Sequence, residues 1–145
     1  MDGRLVSIGY EHRTLDELIR DLRDERVGTV VDVRLTPMSR KPGMSKKRIS
    51  EAAERVGIAY VHAKALGNPK DNRDGYHRGD ADAIARYRSI LETSDAVIAI
   101  ADIAEALRTQ TVALLCLEAD PAICHRTLVA QALRRKRRGL RLTER

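Results

Sequence analysis

Residues 111–126, TVALLCLEADPAICHR, hold both cysteines of the chain and decide how the rest of the sequence is interpreted. The first seven residues form an apolar run without helical spacing, which is typical of a strand buried on both faces. Asp120 is a good N-cap and Pro121 a good first helical residue, and apolar spacing continues to residue 133. The stretch therefore predicts a strand followed directly by a helix, with residues 124–126 in its first turns.

Short apolar runs and amphipathic stretches alternate along the rest of the chain. The runs predict further strands, at residues 5–8, 29–33 and 58–62, with a short last strand at residues 140–142. The amphipathic stretches predict helices, at residues 15–26, 45–56, 80–92 and 94–108. This order predicts an α/β fold with a mostly parallel central sheet of four to five strands and helices on both faces. No linker or repeat divides residues 1–145, so we expect a single domain.

Local signals refine the element ends. Thr14 and Glu17 fit a capping box, and Ser45 and Gly57 fit the start and end of the second helix. Gly28 is expected to terminate the first helix. Residues 64–79 are polar, rich in Gly, Asn and Asp, and without periodicity, so they are interpreted as a long functional or mobile loop.

The composition limits the class of protein. No apolar run reaches transmembrane length, and the N-terminal residues lack the features of a signal peptide, so we expect a cytoplasmic protein without a membrane partner. In a reducing compartment the two cysteines need not form a disulfide, so we interpret them as core, catalytic or metal-binding thiols.

The positive charge is concentrated at the C-terminus. Residues 134–145, RRKRRGLRLTER, carry seven basic residues and one acidic residue, which equals the whole net charge of +6. Two interpretations stay open: a solvated helix end whose cations complement the helix dipole, or a segment that binds nucleic acid.

Parallel strands bring their carboxyl ends to one edge of a sheet, where α/β proteins bind ligands. Reactive or charged residues follow every predicted strand at that edge: Tyr10, His12 and Arg13; Asp32 and Arg34; His62; Cys116 and Glu118. The start of the last helix adds Cys124, His125 and Arg126. We therefore expect these side chains to form one site.

The residue types indicate an anionic substrate and a reactive thiol. Arg34, Arg40 and Arg126 could hold an anion. Cys116 or Cys124 would be the nucleophile or redox thiol, because nearby cations and a helix N-terminus favour a thiolate. The proton would be moved by a histidine, oriented in turn by a carboxylate: His12 or His125, and Asp32 or Glu118.

Structural alternatives stand beside these roles. Cys116 could be a small buried hydrophobe, and Asp32 with Arg34 a buried ion pair. No cofactor is predicted. Zinc bound by Cys116, Glu118, Cys124 and His125 is less favoured, because their spacing matches no standard zinc pattern.

Four blocks of sequence carry a resemblance: IGYEHRTLDELI, VVDVRLTPMSR, KPGMSKKRISEAAERVGIAYVHAKALGNP and VALLCLEADPAICHRTLVAQAL. Together they resemble the bacterial and archaeal family called domain of unknown function 488, over about residues 5–133. The resemblance implies a small cytosolic α/β domain and no particular activity. Its pattern falls on Tyr10, Ser39 and Asn68 among other positions of the carboxyl edge, and we expect these three residues to contact the substrate.

Three functional hypotheses follow. The first is an enzyme, a hydrolase or transferase with a cysteine nucleophile, acting on a nucleotide or nucleic acid through arginine clamps and a Cys/His pair. The second is a non-enzymatic nucleic-acid-binding module that uses the basic C-terminus. The third is a dithiol redox or sulfur-transfer protein. The apolar residues 96–107 belong either to the core or to a homodimer face.

Overall fold

The computed structural model describes residues 3–145, and the strands lie close to their predicted positions. Within that range the strands are β1 (Leu5–Gly9), β2 (Val27–Asp32), β3 (Ala59–His62), β4 (Thr111–Cys116) and β5 (Leu142–Glu144). The helices are α1 (Leu15–Asp24), α2 (Lys46–Arg55), α3 (Lys70–His77), α4 (Ala81–Ile90), α5 (Ser94–Ala106) and α6 (Arg126–Lys136).

The five strands form one parallel sheet in the order β3-β2-β4-β1-β5. The central strand β4 pairs with β1, where Cys116 lies opposite Gly9, and with β2, where Leu115 lies opposite Asp32. The α/β fold class predicted from the sequence is therefore confirmed, and the strands' carboxyl ends do meet at one edge.

Helices cover both faces of the sheet. On one face, α1 and α2 bury Leu18, Leu22 and Ile49 against alternate residues of β1, β2 and β4. On the other face, α3 to α6 contribute to a second core built around Leu114 and Cys116. The helices that follow β1 and β2 therefore cover one face of the sheet, and the helix that follows β4 covers the other. A crevice at the carboxyl end of β4 is the expected place for a ligand in such a sheet.

The helix ends confirm three of the local signals and correct a fourth. Thr14 and Glu17 form the predicted capping box, and Ser45 accepts a hydrogen bond from the Arg48 N–H as N-cap. Gly57 adopts a φ of +78° just beyond α2, as its predicted role requires. The expectation for Gly28 was wrong: α1 ends at Asp24, and the left-handed residue is Arg26.

Two segments around the carboxyl edge also differ from expectation. The stretch 64–79 is not a loop, because it forms a 3₁₀ turn (Lys64–Leu66) and then α3. The buried residues of α3 are Asn72 and Tyr76. Because Asn72 is polar, α3 lacks the apolar spacing from which a helix is predicted.

The second difference concerns the helix predicted to begin at Asp120. Asp120 does cap a turn, but only the 3₁₀ turn Pro121–Ile123. Cys124 is then extended, with φ −108° and ψ 136°, and α6 starts at Arg126. This break turns the Cys124 side chain into the core beside β4.

The longest helix of residues 3–145 is α5, with 13 residues. No helix in this range combines the length and apolar character needed to cross a membrane.

Candidate functional site

A cavity of about 570 Å³ opens at the carboxyl edge of the sheet. Its walls come from the segments after β1, β2 and β4 and from one side of α3. They include Tyr10, Arg34, Ser39, Arg40, Lys41, Asn68, Lys70, Arg73, Asp74, His77, Cys116, Glu118 and His125. Eight of the fourteen residues predicted for this edge line it; Arg13, which pairs with Asp21, and His62, whose Nε2 lies 2.7 Å from the Arg34 carbonyl, are among those that do not. Lysines and arginines outnumber carboxylates among these wall residues by five to two. A cavity of this size and charge suits a small anionic ligand.

The two cysteines meet behind the floor of this cavity. Cys116 ends β4 and lines the cavity, whereas Cys124 lies next to it, and both are 1% exposed. Their sulfur atoms are within disulfide-bonding distance. Folding therefore brings the sulfur atoms of two cysteines that are eight residues apart in the sequence into contact.

Arg126 is buried against Cys116. Its Nη1 donates to the Cys116 sulfur at 3.1 Å and to the Glu118 carbonyl at 2.6 Å, and its Nε donates to the Ser7 hydroxyl at 2.6 Å. Within residues 3–145 no carboxylate oxygen lies within 4.0 Å of this guanidinium. Burial lowers the pKa of Arg126, and the Glu118 charge partly offsets that effect. Since a buried cation needs an anionic partner, the arrangement favours the thiolate form of Cys116.

Glu118 connects Cys116 to a histidine that sequence analysis did not select. The Cys116 sulfur lies 3.3 Å from Glu118 Oε2, so the thiol of the reduced protein can donate a hydrogen bond to this carboxylate. Glu118 Oε1 in turn lies 2.8 Å from His77 Nε2. The carboxylate is placed to take the thiol proton, and His77 to stabilise the carboxylate. His77 was not predicted because it belongs to α3, and the sequence of α3 was interpreted as a loop.

His125 is held as a neutral base beside Cys124. Its Nε2 lies 2.8 Å from the Val33 carbonyl, which only accepts, so Nε2 carries the proton and Nδ1 is free. Nδ1 lies 3.9 Å from the Cys124 sulfur. Burial lowers the pKa of His125, and the hydrogen bond to Val33 partly offsets the shift. The predicted Cys/His pair therefore consists of Cys124 and His125, with a neutral imidazole able to accept the thiol proton.

A pH dependence of stability follows from this buried imidazole. As pH falls through about 6.5, the unfolded chain protonates His125 while the folded chain does not, so the free energy of unfolding decreases. We expect His125→Gln, which keeps a donor for Val33, to remove up to about 1.4 kcal/mol per pH unit from this slope. Urea unfolding of the reduced protein between about pH 5 and pH 8 measures it. His12→Gln is the control, because the side chain of His12 is 77% exposed. Equal slopes in both variants would contradict the prediction.

Asp32 and Arg34 form the buried ion pair that the sequence left open as an alternative. Arg34 Nε and Nη2 bind the two carboxylate oxygens at 2.9 and 2.7 Å, and Asp32 also accepts from the Tyr60 hydroxyl. Burial opposes ionisation of Arg34, but the hydrogen bond and charge of Asp32 outweigh it and raise its pKa. Arg34 Nη1 donates to the Tyr10 hydroxyl and the Met44 carbonyl. Most of the guanidinium is thus already committed within the protein.

Unmatched positive charge comes instead from the rim of the cavity. Arg40, Lys41, Lys70 and Arg73 have no carboxylate within 4.0 Å among the described residues. Lys70 and Arg73 belong to α3 and were not predicted. The sequence signal that could have identified them is the presence of basic residues in the segment 64–79, which was interpreted as a loop.

The structure places some predicted residues outside the cavity lining. Asp32, Cys124 and Arg126 lie directly behind the lining residues, as their contacts with Arg34, Cys116 and Glu118 show. His12 is exposed and faces Glu11 at 3.8 Å. Its proton-transfer role stays a prediction that no contact supports.

Cys116, Cys124 and His125 are the described residues that could hold a metal ion, since their ligand atoms lie within 4.8 Å of one another. The hydrogen bond from His125 Nε2 to a carbonyl is usual for a metal-bound histidine. The Arg126 guanidinium in contact with the Cys116 sulfur opposes a second cation there.

Most of the basic C-terminal run lies at the opposite edge of the sheet from the cavity, whereas its last residue runs along β1, where the Arg145 N–H donates to the Ser7 carbonyl. Helix α6 starts at the carboxyl edge with Arg126 and carries Arg134, Arg135 and Lys136 toward the opposite edge, where the Arg141 carbonyl accepts from Leu5 at the start of β1. Arg145 is paired with Asp21 and Glu25. Nucleic-acid binding by this run stays a prediction, and it concerns a surface separate from the cavity.

Comparison with known families adds one finding. The model of the family described as domain of unknown function DUF488 matches residues 14–133. The chain belongs to this family. No curated protein and no solved structure matches this DUF488 chain. Most of the residues described above, from Arg34 to His125, lie within the matched range, whereas Tyr10 precedes it.

Proposed function

We propose that this DUF488 protein is a thiol-dependent enzyme that carries out thiol–disulfide exchange on a small anionic substrate. The observation that carries the proposal is the sulfur of Cys116, which faces the cationic cavity and has the Cys124 sulfur within bonding distance on its other side. An enzyme that used only a nucleophile would not need a second thiol in that position. A dithiol enzyme does, because the second thiol releases the substrate from the first.

In this proposal each neighbouring group has a role that its contacts support. Glu118 accepts the proton of the Cys116 thiol, and Arg126 stabilises the thiolate that remains. Neutral His125 accepts the proton of Cys124 through Nδ1. The rim cations attract the anionic substrate into the cavity.

The reaction has two steps. The Cys116 thiolate attacks one sulfur of a disulfide substrate, forming a mixed disulfide as the substrate S–S bond breaks and a thiolate leaves with the electron pair. The Cys124 thiolate then attacks the Cys116 sulfur, forming the Cys116–Cys124 disulfide and releasing the second substrate thiolate. The protein loses two electrons to the substrate, and an external thiol reductant restores the dithiol.

The test compares two disulfide reagents on the reduced protein: dithiobis(nitrobenzoate), which is anionic, and dithiodipyridine, which is neutral. Wild type should release two nitrothiobenzoate ions per chain from the first reagent and lose the mass of two hydrogens. Cys124→Ser should release one and keep one adduct on Cys116. In Cys116→Ser the buried Cys124 should react at least tenfold more slowly.

The denatured chain is the matched control for charge preference. The ratio of anionic to neutral reagent rates should be at least several-fold higher for the folded chain, because only the folded chain has the cationic cavity. The proposal is overturned if Cys124→Ser reacts like wild type, or if the folded and denatured ratios agree.

A further inference from the structure

The N-terminus of α3 contains a buried amide donor that the thiol chemistry does not use. Asn68 is 3% exposed and lines the cavity. Its Oδ1 accepts from Asn72 Nδ2 at 2.9 Å, and the same Nδ2 donates to the Ala83 carbonyl at 2.9 Å. These two bonds fix the orientation of both amides. The Asn68 Nδ2 group is therefore a donor, and it has no hydrogen-bond partner among residues 3–145.

Arg73 is held beside this amide. Its Nε donates to the Asn68 carbonyl at 3.2 Å, which leaves the two Nη groups without a carboxylate partner among the described residues. Lys70, three residues earlier on α3, lines the same cavity. An amide donor, a guanidinium and an ammonium thus line the corner of the cavity along and just before α3, where Asp74 is the one carboxylate that α3 adds to the lining.

The helix itself adds to the positive potential of this corner. α3 begins after Pro69, which provides no side-chain cap; the Asn72 N–H donates to the Pro69 carbonyl, and the N–H groups of Lys70 and Asp71 before it have no side-chain acceptor within the described part of the chain. The positive end of the helix dipole lies at the same place. Gly67 packs so closely against Leu35 that the Cβ of any other residue there would lie 2.4 Å from the Leu35 Cα. This close packing holds the corner rigidly against the segment after β2.

We propose that this corner binds a tetrahedral oxyanion, a phosphate or sulfate group, carried by the substrate whose reacting sulfur lies at Cys116. The proposal rests on the proposed function for the identity of the substrate, but the binding itself does not need a reactive thiol. Donors from an amide, a guanidinium, an ammonium and a helix N-terminus can surround three oxygens. A carboxylate offers two oxygens and one charge and would leave part of this set unsatisfied. The cavity of about 570 Å³ leaves room for the rest of a small molecule.

The test is calorimetric titration of the reduced full-length chain with inorganic phosphate, inorganic sulfate and acetate. Asn68→Asp is the sharpest variant, because it keeps the acceptor for Asn72 and replaces the donor with a negative charge. We expect it to weaken phosphate binding at least tenfold, and Arg73→Gln to weaken it at least threefold. Arg134→Gln at the opposite edge should leave it unchanged.

The outcomes separate this inference from the proposed function. Cys116→Ser should bind phosphate like wild type, since no thiol is required. The subsite is overturned if Asn68→Asp and Arg73→Gln both bind phosphate as wild type does, or if acetate binds as tightly as phosphate or sulfate. It is also overturned if wild type binds neither tetrahedral anion, and the dithiol reaction of wild type would still stand in that case. Unfolding midpoints of both variants identify any loss that comes from misfolding.

Discussion

Replacement of Asp32 by Asn is expected to lower the free energy of unfolding by about 3–5 kcal/mol, the typical cost of breaking a buried ion pair by removing one partner. Asp32 is fully buried and Arg34 is 7% exposed. The change leaves a mostly buried guanidinium without its counter-ion. This loss is a large fraction of the total stability of an ordinary domain. Urea unfolding of the reduced protein measures it.

Two matched variants show whether the charge is the cause. Asp21→Asn makes the same chemical change at a carboxylate whose partners, Arg13 and Arg145, are partly exposed, so it should cost less. In the double variant Asp32→Asn with Arg34→Met, no unpaired charge remains, and part of the loss should be recovered. A cost for Asp32→Asn no greater than that for Asp21→Asn would show that the pair is not the main source of stability.

Replacement of Arg126 by Met is expected to slow alkylation of Cys116 at pH 7 by at least tenfold. A positive charge 3.1 Å from the sulfur contributes about 5 kcal/mol to a thiolate at an effective dielectric constant of about 20. Even a third of that amount exceeds the roughly 1.4 kcal/mol of a tenfold change. The rate of alkylation should rise with pH in both proteins. In the variant the rise should come at higher pH, because the Cys116 thiolate is less stable without the guanidinium.

The measurement is the rate of iodoacetamide labelling of Cys116 as a function of pH, in a Cys124→Ser background. Ser7→Ala is the control, since it removes the 2.6 Å bond to Arg126 Nε and keeps the guanidinium beside the sulfur. Its pH profile should match that of the parent. If the Arg126→Met profile also overlaps the parent, Arg126 has only a structural role and the thiolate in the proposed reaction needs another source of stabilisation.

The hydrophobic pattern alone was enough to find the sheet. Strands such as β4 are recognisable because every residue from Val112 to Cys116 is buried, which requires an uninterrupted apolar run. Parallel pairing then brings the residues after β1, β2 and β4 to one edge whatever the details of the loops. For that reason Tyr10, Arg34 and Glu118 could be assigned to one cavity without coordinates.

Local sequence could not reveal α3 or the break at Cys124. Helix α3 turns Asn72 and Tyr76 inward, and a buried asparagine carries no apolar signal. The extended conformation of Cys124 is selected by burial of its side chain beside β4, whereas Asp120 and Pro121 by themselves favour a helix. In both places tertiary packing overrides a local preference.

The sequence by itself determined the parallel α/β sheet, the edge at which the site lies and most of the residues around it, because burial on both faces of a strand leaves a direct trace in composition. Only the tertiary structure decided which of these residues act on each other. It pairs Asp32 with Arg34, Cys116 with Cys124 and Arg126, and Glu118 with His77. It also brings Asn68 and Arg73 to the cavity and leaves His12 in solvent. Some of these partners, such as Glu118 and His77, come from distant segments, and even near neighbours such as Asp32 and Arg34 pair because both side chains are buried at the same strand end. No local sequence pattern records either kind of contact.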